Sequence, residues 1–367
     1  MSSFNIIALD KDFNVAALLR YTNIQWSRKY HECGTFSVQI PLEQYHPSFK
    51  YIYTKSRPEM GRITQINYVD NSGYRYMQMS GFFMENELNR MVAYAKGAGN
   101  ILNSPTWSEK VGNAENVAFD FFNAFSTIRF NNRVSDVSYS IGIAAGPNLG
   151  RGLRVHHVRE NSYLGNKIYH ILKSSGLSYR VSYDFEQNRK TFGVWSGLDR
   201  SEEQTDNNPV IFSTRYGNIK NPNILLDDST YKSGCVIVNK SSSGEDTVVY
   251  TRVIIDPDEL DSDNAFLMFD SAANPDDFTT QADLFAAMEA EGQSEKDSNW
   301  TRTMNVEFDA MNGSYEYMQD FDLGDVCSIE VNEIGVSANA RLIGCYEVVK
   351  QGVWSMTMEF GTPIIKR

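Results

Sequence analysis

Residues 24–41 read Ile-Gln-Trp-Ser-Arg-Lys-Tyr-His-Glu-Cys-Gly-Thr-Phe-Ser-Val-Gln-Ile-Pro, and their period-two alternation constrains the fold more than any other stretch. Ile24, Trp26, Arg28 and Tyr30 share one parity, and Phe36, Val38 and Ile40 share another, so each arm turns one face toward a core. His31, Glu32, Cys33 and Gly34 connect the arms. Gly34 is expected to supply the positive φ of a four-residue connection, and Pro41, which has no N–H to donate, to end the second strand. The run predicts an antiparallel hairpin with Trp26 buried, and no catalytic group is needed to explain it.

Other stretches repeat the pattern. Residues 5–10 and 14–21 read as short strands around Asp10-Lys11-Asp12, and residues 62–68 and 74–81 flank Asp70-Asn71-Ser72-Gly73, a hairpin turn. Beyond Pro105 the period changes. Val117, Ala118, Phe121, Phe122 and Phe125 recur at helical spacing behind Asn113, a candidate N-cap, which predicts a helix over 114–125. A second helix is expected over 162–172, ending near Gly176. Strands at 137–143, 177–183 and 190–195 complete an α+β module.

After a polar, acidic linker at 201–208, strands resume at 210–214, 234–239 and 247–255. An acidic excursion at 256–298, with one helix at 281–291, precedes strands at 301–308, 326–331, 338–349 and 353–360. The fold class is therefore mainly β with an α+β portion: two antiparallel β-barrel-like domains plus a small α+β domain. The expected division is 1–105, 106–205 and 206–367, the last interrupted by the insertion 256–298. Two β domains of similar size hint at an internal duplication.

A chain of 367 residues exceeds what one core usually serves. Its 20 Tyr and 21 Phe support the β reading. No apolar window approaches the length that crosses a bilayer, so no membrane-spanning segment is expected. The opening residues lack a basic n-region, which predicts no signal peptide and assembly in a cytoplasm. Cys33, Cys235, Cys327 and Cys345 have no C-x-x-C spacing and read as reduced, small hydrophobes; Cys327 and Cys345 could fall on neighbouring strands. A net charge of −12 opposes binding to the phosphate backbone, so no specific nucleic-acid binding is expected.

Catalytic and cofactor signatures do not assemble. The glycine run Gly142, Gly146, Gly150 and Gly152 leads into residues 153–158, which read as a strand, whereas a phosphate loop should open a helix. His156 and His157 are adjacent, so on a strand they point to opposite faces and cannot share a metal in the ordinary way. His31, His46 and His170 have no partner at helical spacing. The loop 256–264 concentrates carboxylates that could supply oxygen ligands to calcium, but it lacks the mid-loop glycine and distal glutamate of an EF-hand. Aromatics at alternate strand positions are expected to face a core rather than form a glycan platform. Catalytic, cofactor-binding and metal residues are therefore expected to be none.

The stretch from Trp26 to Pro41 resembles the opening hairpin of hub proteins from the tail tips of long-tailed phages, with its tryptophan, basic residues, aromatic, acid, glycine and Phe-x-x-x-Ile-Pro ending. A second similarity lies in Asp322-Leu323-Gly324-Asp325-Val326 and in Glu359-Phe360-Gly361-Thr362-Pro363. The resemblance extends to the N-terminal hub part of tail-associated lysins and to myovirus baseplate hubs. It implies a structural virion protein of the tail tip or baseplate, two tandem β-barrels per subunit and a homotrimer that caps the tail tube. The implied partners are the distal tail protein, the tail tube protein, the tape-measure protein and a spike or receptor-binding fibre. A wall of the same sign as phosphate would let DNA pass such a ring without sticking. Many hubs continue into a peptidoglycan-cleaving domain, but this sequence stops soon after Pro363, so a structural role is expected. The competing classes are a cell-wall hydrolase or esterase of the tail tip and a glycan-binding module for host recognition.

Overall fold

The computed structural model describes residues 4–71, 73–95, 101–131, 135–243, 246–255, 265–271, 273–300, 303–310 and 315–366. The opening hairpin forms as its alternation requires. Strand Asn23–Lys29 pairs with Thr35–Pro41, with Trp26 opposite Phe36. Trp26 is 0% exposed and packs against Phe4, Phe36 and Phe83. The glycine of the connection is needed for a different reason from the one expected. Gly34 is not among the residues of positive φ. Instead, a Cβ there would lie 2.3 Å from the Ser27 carbonyl oxygen and 2.6 Å from the Phe83 ring, so no side chain fits.

The mainly-β class with an α+β portion holds, but the strands do not close into barrels. The largest sheet runs as an open path through Ile219–Asp227, Thr303–Ala310, Val353–Lys366, Val336–Lys350, the opening hairpin, Tyr74–Phe83, Met60–Asn71, Tyr51–Tyr53, Ile6–Leu9 and Val15–Leu19. N-terminal and C-terminal strands thus share one sheet. The joint is a seven-residue antiparallel ladder from Gly344 opposite Lys29 to Lys350 opposite Asn23. Val326–Val331 adds to the far half of Val336–Lys350 and takes Asp199–Arg200 and Ile211–Ser213 as parallel neighbours.

Against this sheet lies the α+β module. Helix α1, Ala114–Phe125, has the predicted bounds, and α2 spans Leu164–Lys173. Both are amphipathic, and they bury Phe121, Phe122, Ile168 and Leu172 with Phe192 and Tyr179 of the antiparallel strands Ser178–Asp184 and Arg189–Trp195. The chain reverses after α2 at Gly176, whose φ of 62° is left-handed. Asn113 occupies the position before α1, but its side chain does not cap the helix; its Nδ2 donates to the Gly150 carbonyl at 2.7 Å.

The strands expected at 234–239 and 247–255 do not join the large sheet. Gly234–Ser243 pairs antiparallel with Asp246–Ile255 and parallel with Phe266–Asp270, a small sheet covered on one side by α3, Gln281–Asn299. The helix is longer than predicted, with a Thr280 cap whose oxygen accepts from the Asp283 amide. This unit hangs between Asp227 and Thr303, which face each other across the ladder of the large sheet. Emptying the Trp26 site leaves an aromatic-sized void, so Trp26→Ala should lower unfolding stability by roughly 3 to 5 kcal/mol. An unchanged urea midpoint would contradict that packing.

Candidate functional site

The two stretches singled out in the sequence, one near each end of the chain, meet in the interior. Arg28, on the opening hairpin, is 0% exposed. Its Nε donates to Glu59 Oε2 at 2.9 Å, and its Nη1 donates to Asp322 Oδ1 at 2.7 Å and to the Tyr317 hydroxyl. Burial works against its charge, but Glu59, Tyr317 and Asp322 outweigh that penalty and hold the guanidinium protonated. Two residues on, Tyr30 lies against Gly324. A Cβ at Gly324 would sit 2.4 Å from the Tyr30 ring, and the backbone there has φ of 91°, so both space and conformation require glycine. Asp325 completes the turn by accepting from the Leu198 amide at 2.7 Å and from Arg200 Nε at 2.9 Å.

The α+β module is tied to the same junction. The Tyr30 hydroxyl donates to the Gly176 carbonyl at 2.8 Å, and Ser178 Oγ donates to the Tyr30 carbonyl. Arg180 stacks over Trp195 with its guanidinium 4.3 Å from the ring centre and lies 3.5 Å from Glu59 Oε1. A second buried pair, Arg57 with Glu347, reinforces the joint between the first strands and the last, and Trp354 Nε1 donates to Glu347 at 3.2 Å.

Glu85 sits on a 3₁₀ turn, Met84–Arg90, for which the sequence offered no reading. One carboxylate oxygen accepts from the Val181 amide at 3.3 Å, and the other has no donor. Burial, with the Glu59 charge nearby, pushes its pKa up to about 7. The cavity shared by Arg28, Glu59, Glu85, Tyr179, Arg180 and Trp195 has room for about one water molecule. It is too small for an organic substrate. The arrangement clamps chain segments together.

Among the described residues weighed for chemistry, His46 Nδ1 lies 2.7 Å from Ser48 Oγ, while His31 Nδ1 is buried with no hydrogen-bond partner. The loop 146–152 folds over the start of α1, where the Ala114 and Glu115 amides donate to the Leu153 and Arg151 carbonyls. Those amides are therefore spent on the chain itself, and Gly152 leads into strand Arg154–Val158, as predicted. His156 and His157 point to opposite sides. His156 Nδ1 lies 2.6 Å from Glu291 and Nε2 lies 3.0 Å from Glu109, joining α3 to the α+β module. His157 stacks edge-on with His170 at 5.4 Å. Among the described residues no group of three or more His, Cys, Asp or Glu is placed to hold a metal. The acidic loop 256–264 lies outside the described residues. All four cysteines are free thiols, and the register puts Ala340 opposite Cys327 and Met358 opposite Cys345.

This architecture is shared with phage tail proteins. The chain superposes on the tail protein from Neisseria meningitidis MC58 with a TM-score of 0.58 at 13% identity, covering 98% of this chain and 97% of that one. For the prophage MuSo2 43 kDa tail protein from Shewanella oneidensis the TM-score is 0.57 at 10% identity, with 97% and 98% covered. For prophage tail protein gp18 from Listeria monocytogenes EGD-e it is 0.51 at 11% identity, with 97% and 94% covered. No curated protein matches the chain by sequence. Residues 5–362 match the siphovirus ReqiPepy6 Gp37-like protein family, and the chain belongs to it.

The raised pKa of Glu85 makes stability fall with pH. Between about 4.5 and about 7 the unfolded chain releases a proton that the folded chain retains, so stabilisation present at low pH is lost as pH rises to about 7. Glu85→Gln keeps the acceptor for Val181 and removes the charge. It should gain about 3 kcal/mol over the parent at pH 8 and little at pH 4, read from urea unfolding at the two values. A difference that does not change with pH would refute the assignment.

Histidine titration by NMR separates the two neighbours. Burial lowers the pKa of His157 to about 3, helped by Lys167, whereas His156, although buried, is raised above 6.5 by Glu291 and Glu109. His156 should titrate above pH 6.5 while His157 stays neutral down to pH 4.

Proposed function

We propose that this protein is the hub of a phage tail tip or baseplate, three copies of which close a ring that caps the tail tube. The observation that carries the reading is a pair of unsatisfied edges on one open sheet. Beyond Ile63 the strand Met60–Asn71 pairs only with Tyr74–Phe83, and Ile219–Asp227 pairs only with Thr303–Ala310, among the described residues. Each exposed edge carries apolar side chains: Ile66 and Tyr68 on one, Leu225 and Leu226 on the other. Long apolar edges left bare invite pairing with another chain. Because one edge is the first strand of the path and the other is the free part of the eighth, the two are different surfaces, so copies join head to tail, and such contacts close into a ring when the rotation allows.

Eight strands separate and include these edges in each copy, so three copies would contribute twenty-four. Barrels of about sixteen or more strands leave an aqueous channel. The ring would contact the tail tube, the distal tail protein and the tape-measure protein, and would hold a spike or receptor-binding fibre below. Host attachment and genome ejection follow from that position at the virion tail tip, after assembly in the bacterial cytoplasm. The role is structural rather than enzymatic, a reading supported by the engagement of the buried carboxylates in ion pairs and backbone contacts. We divide the chain into a first β unit to about residue 105, an α+β unit to about 205 and a second β unit with an insertion.

Ring closure has a direct test in cryo-electron microscopy of assembled tails, where threefold density at the tip is expected and six equivalent copies would refute the trimer. Lysines at Ile66 and Tyr68, or at Leu225 and Leu226, blunt the edges without touching the core. Either pair should leave monomer unfolding unchanged and reduce assembled tips by about tenfold or more; normal assembly would refute edge pairing.

A further inference from the structure

The cavity at the Arg28 junction is walled by separate parts of the fold: Arg28 from the opening hairpin, Glu59 just before strand Met60–Asn71, Glu85 from the 3₁₀ turn, and Tyr179, Arg180 and Trp195 from the α+β module. Four polar atoms on these residues are buried and have no hydrogen-bond partner among the described residues: Arg28 Nη2, Arg180 Nη2, Trp195 Nε1 and Glu85 Oε2. Arg180 Nη2 lies 3.5 Å from Glu59 Oε1, an ion pair without a hydrogen bond. The tyrosine hydroxyls of the wall are engaged elsewhere, since Tyr179 donates to the Glu85 carbonyl at 3.3 Å and accepts from Tyr169. Unmet polar groups in an interior are costly and uncommon. Four of them around one cavity call for a ligand that meets them together.

Size and charge select the ligand. The space admits about one water molecule. Three unmet donors and one unmet acceptor require a particle that both accepts and donates, and water does both. A metal cation would find Glu85 but stand against two guanidinium groups that repel it. A chloride ion would accept from the N–H groups, yet it would stand beside Glu59 and Glu85, and Arg28 is already matched by Glu59 and Asp322. We propose that this cavity binds a single long-lived water molecule, which accepts from Arg28 and from Arg180 or Trp195 and donates to Glu85 Oε2. The water then bridges the opening hairpin, the 3₁₀ turn and the α+β module at a point that no direct contact joins. This site is independent of ring formation.

The test begins with crystals of the purified full-length chain grown in sodium bromide, at a resolution that shows ordered water. One density peak is expected at about 2.7 to 3.2 Å from both Glu85 Oε2 and Arg28 Nη2, with no bromine anomalous signal. A bromine signal there would assign the cavity to an anion and overturn the proposal, and so would the lack of any peak. Magnetic relaxation dispersion of the water oxygen nucleus counts long-lived internal waters in solution. Glu85→Leu, which removes the acceptor at similar volume, should lose one such water, whereas Glu85→Gln, which retains an acceptor, should keep it. Both variants should preserve the circular dichroism spectrum of the parent. An equal count in the Leu variant and the parent overturns the proposal, and if that variant does not fold, the density in the parent decides alone.

Discussion

Arg28 governs how the rest of the chain can be arranged. A guanidinium with no exposed surface is tolerated only when its donors find acceptors inside, and here those acceptors come from distant segments: Glu59 after the first strands, and Tyr317 and Asp322 near the far end of the chain. Losing Glu59 or Asp322 leaves the buried cation with a single carboxylate. The ladder between Asn23–Lys29 and Val336–Lys350 and the packing of Tyr30 on Gly324 therefore form with this ion cluster as one event. Contacts so far apart in sequence entail slow closure of long loops, which is consistent with a chain whose sheet is built from both its ends.

Elements that depend on local pattern were legible in the sequence. The opening hairpin, α1 and strand Val326–Val331 follow from side-chain periodicity, because one buried face is enough to determine register and period. The glycines at 34 and 324 were visible as residues, but for Gly34 the reason was not: a ring from another strand, Phe83, fills its space, and no local rule reports that. Arg28 showed the parity of a buried residue while its chemistry argued for the surface, and that conflict was the one available signal of an internal ion cluster. Glu85 gave none, since a carboxylate on an irregular turn reads as solvated until the module that covers it is placed.

Net charge was informative in sum and misleading in distribution. A value of −12 invites the picture of a uniformly acidic molecule and an acidic channel. The excess resides in one segment of the inserted unit, and the remaining chain is balanced. The total therefore says nothing about a wall built from the large sheet. Sheet membership was equally invisible, because alternation reports that a strand exists and which face is buried, not which neighbour it takes.

Asp227 and Thr303 face each other as ladder partners, so the inserted unit begins and ends at a single point of the large sheet. Closing a loop between ends already held together adds a cost that grows only as the logarithm of its length. The large sheet thus places almost no restriction on the size or composition of what is attached there. A lineage under pressure to engage a new partner could exchange the whole unit by recombination and keep the framework, apart from the contact at His156. Variation among relatives should then be concentrated at that attachment point rather than spread along the strands.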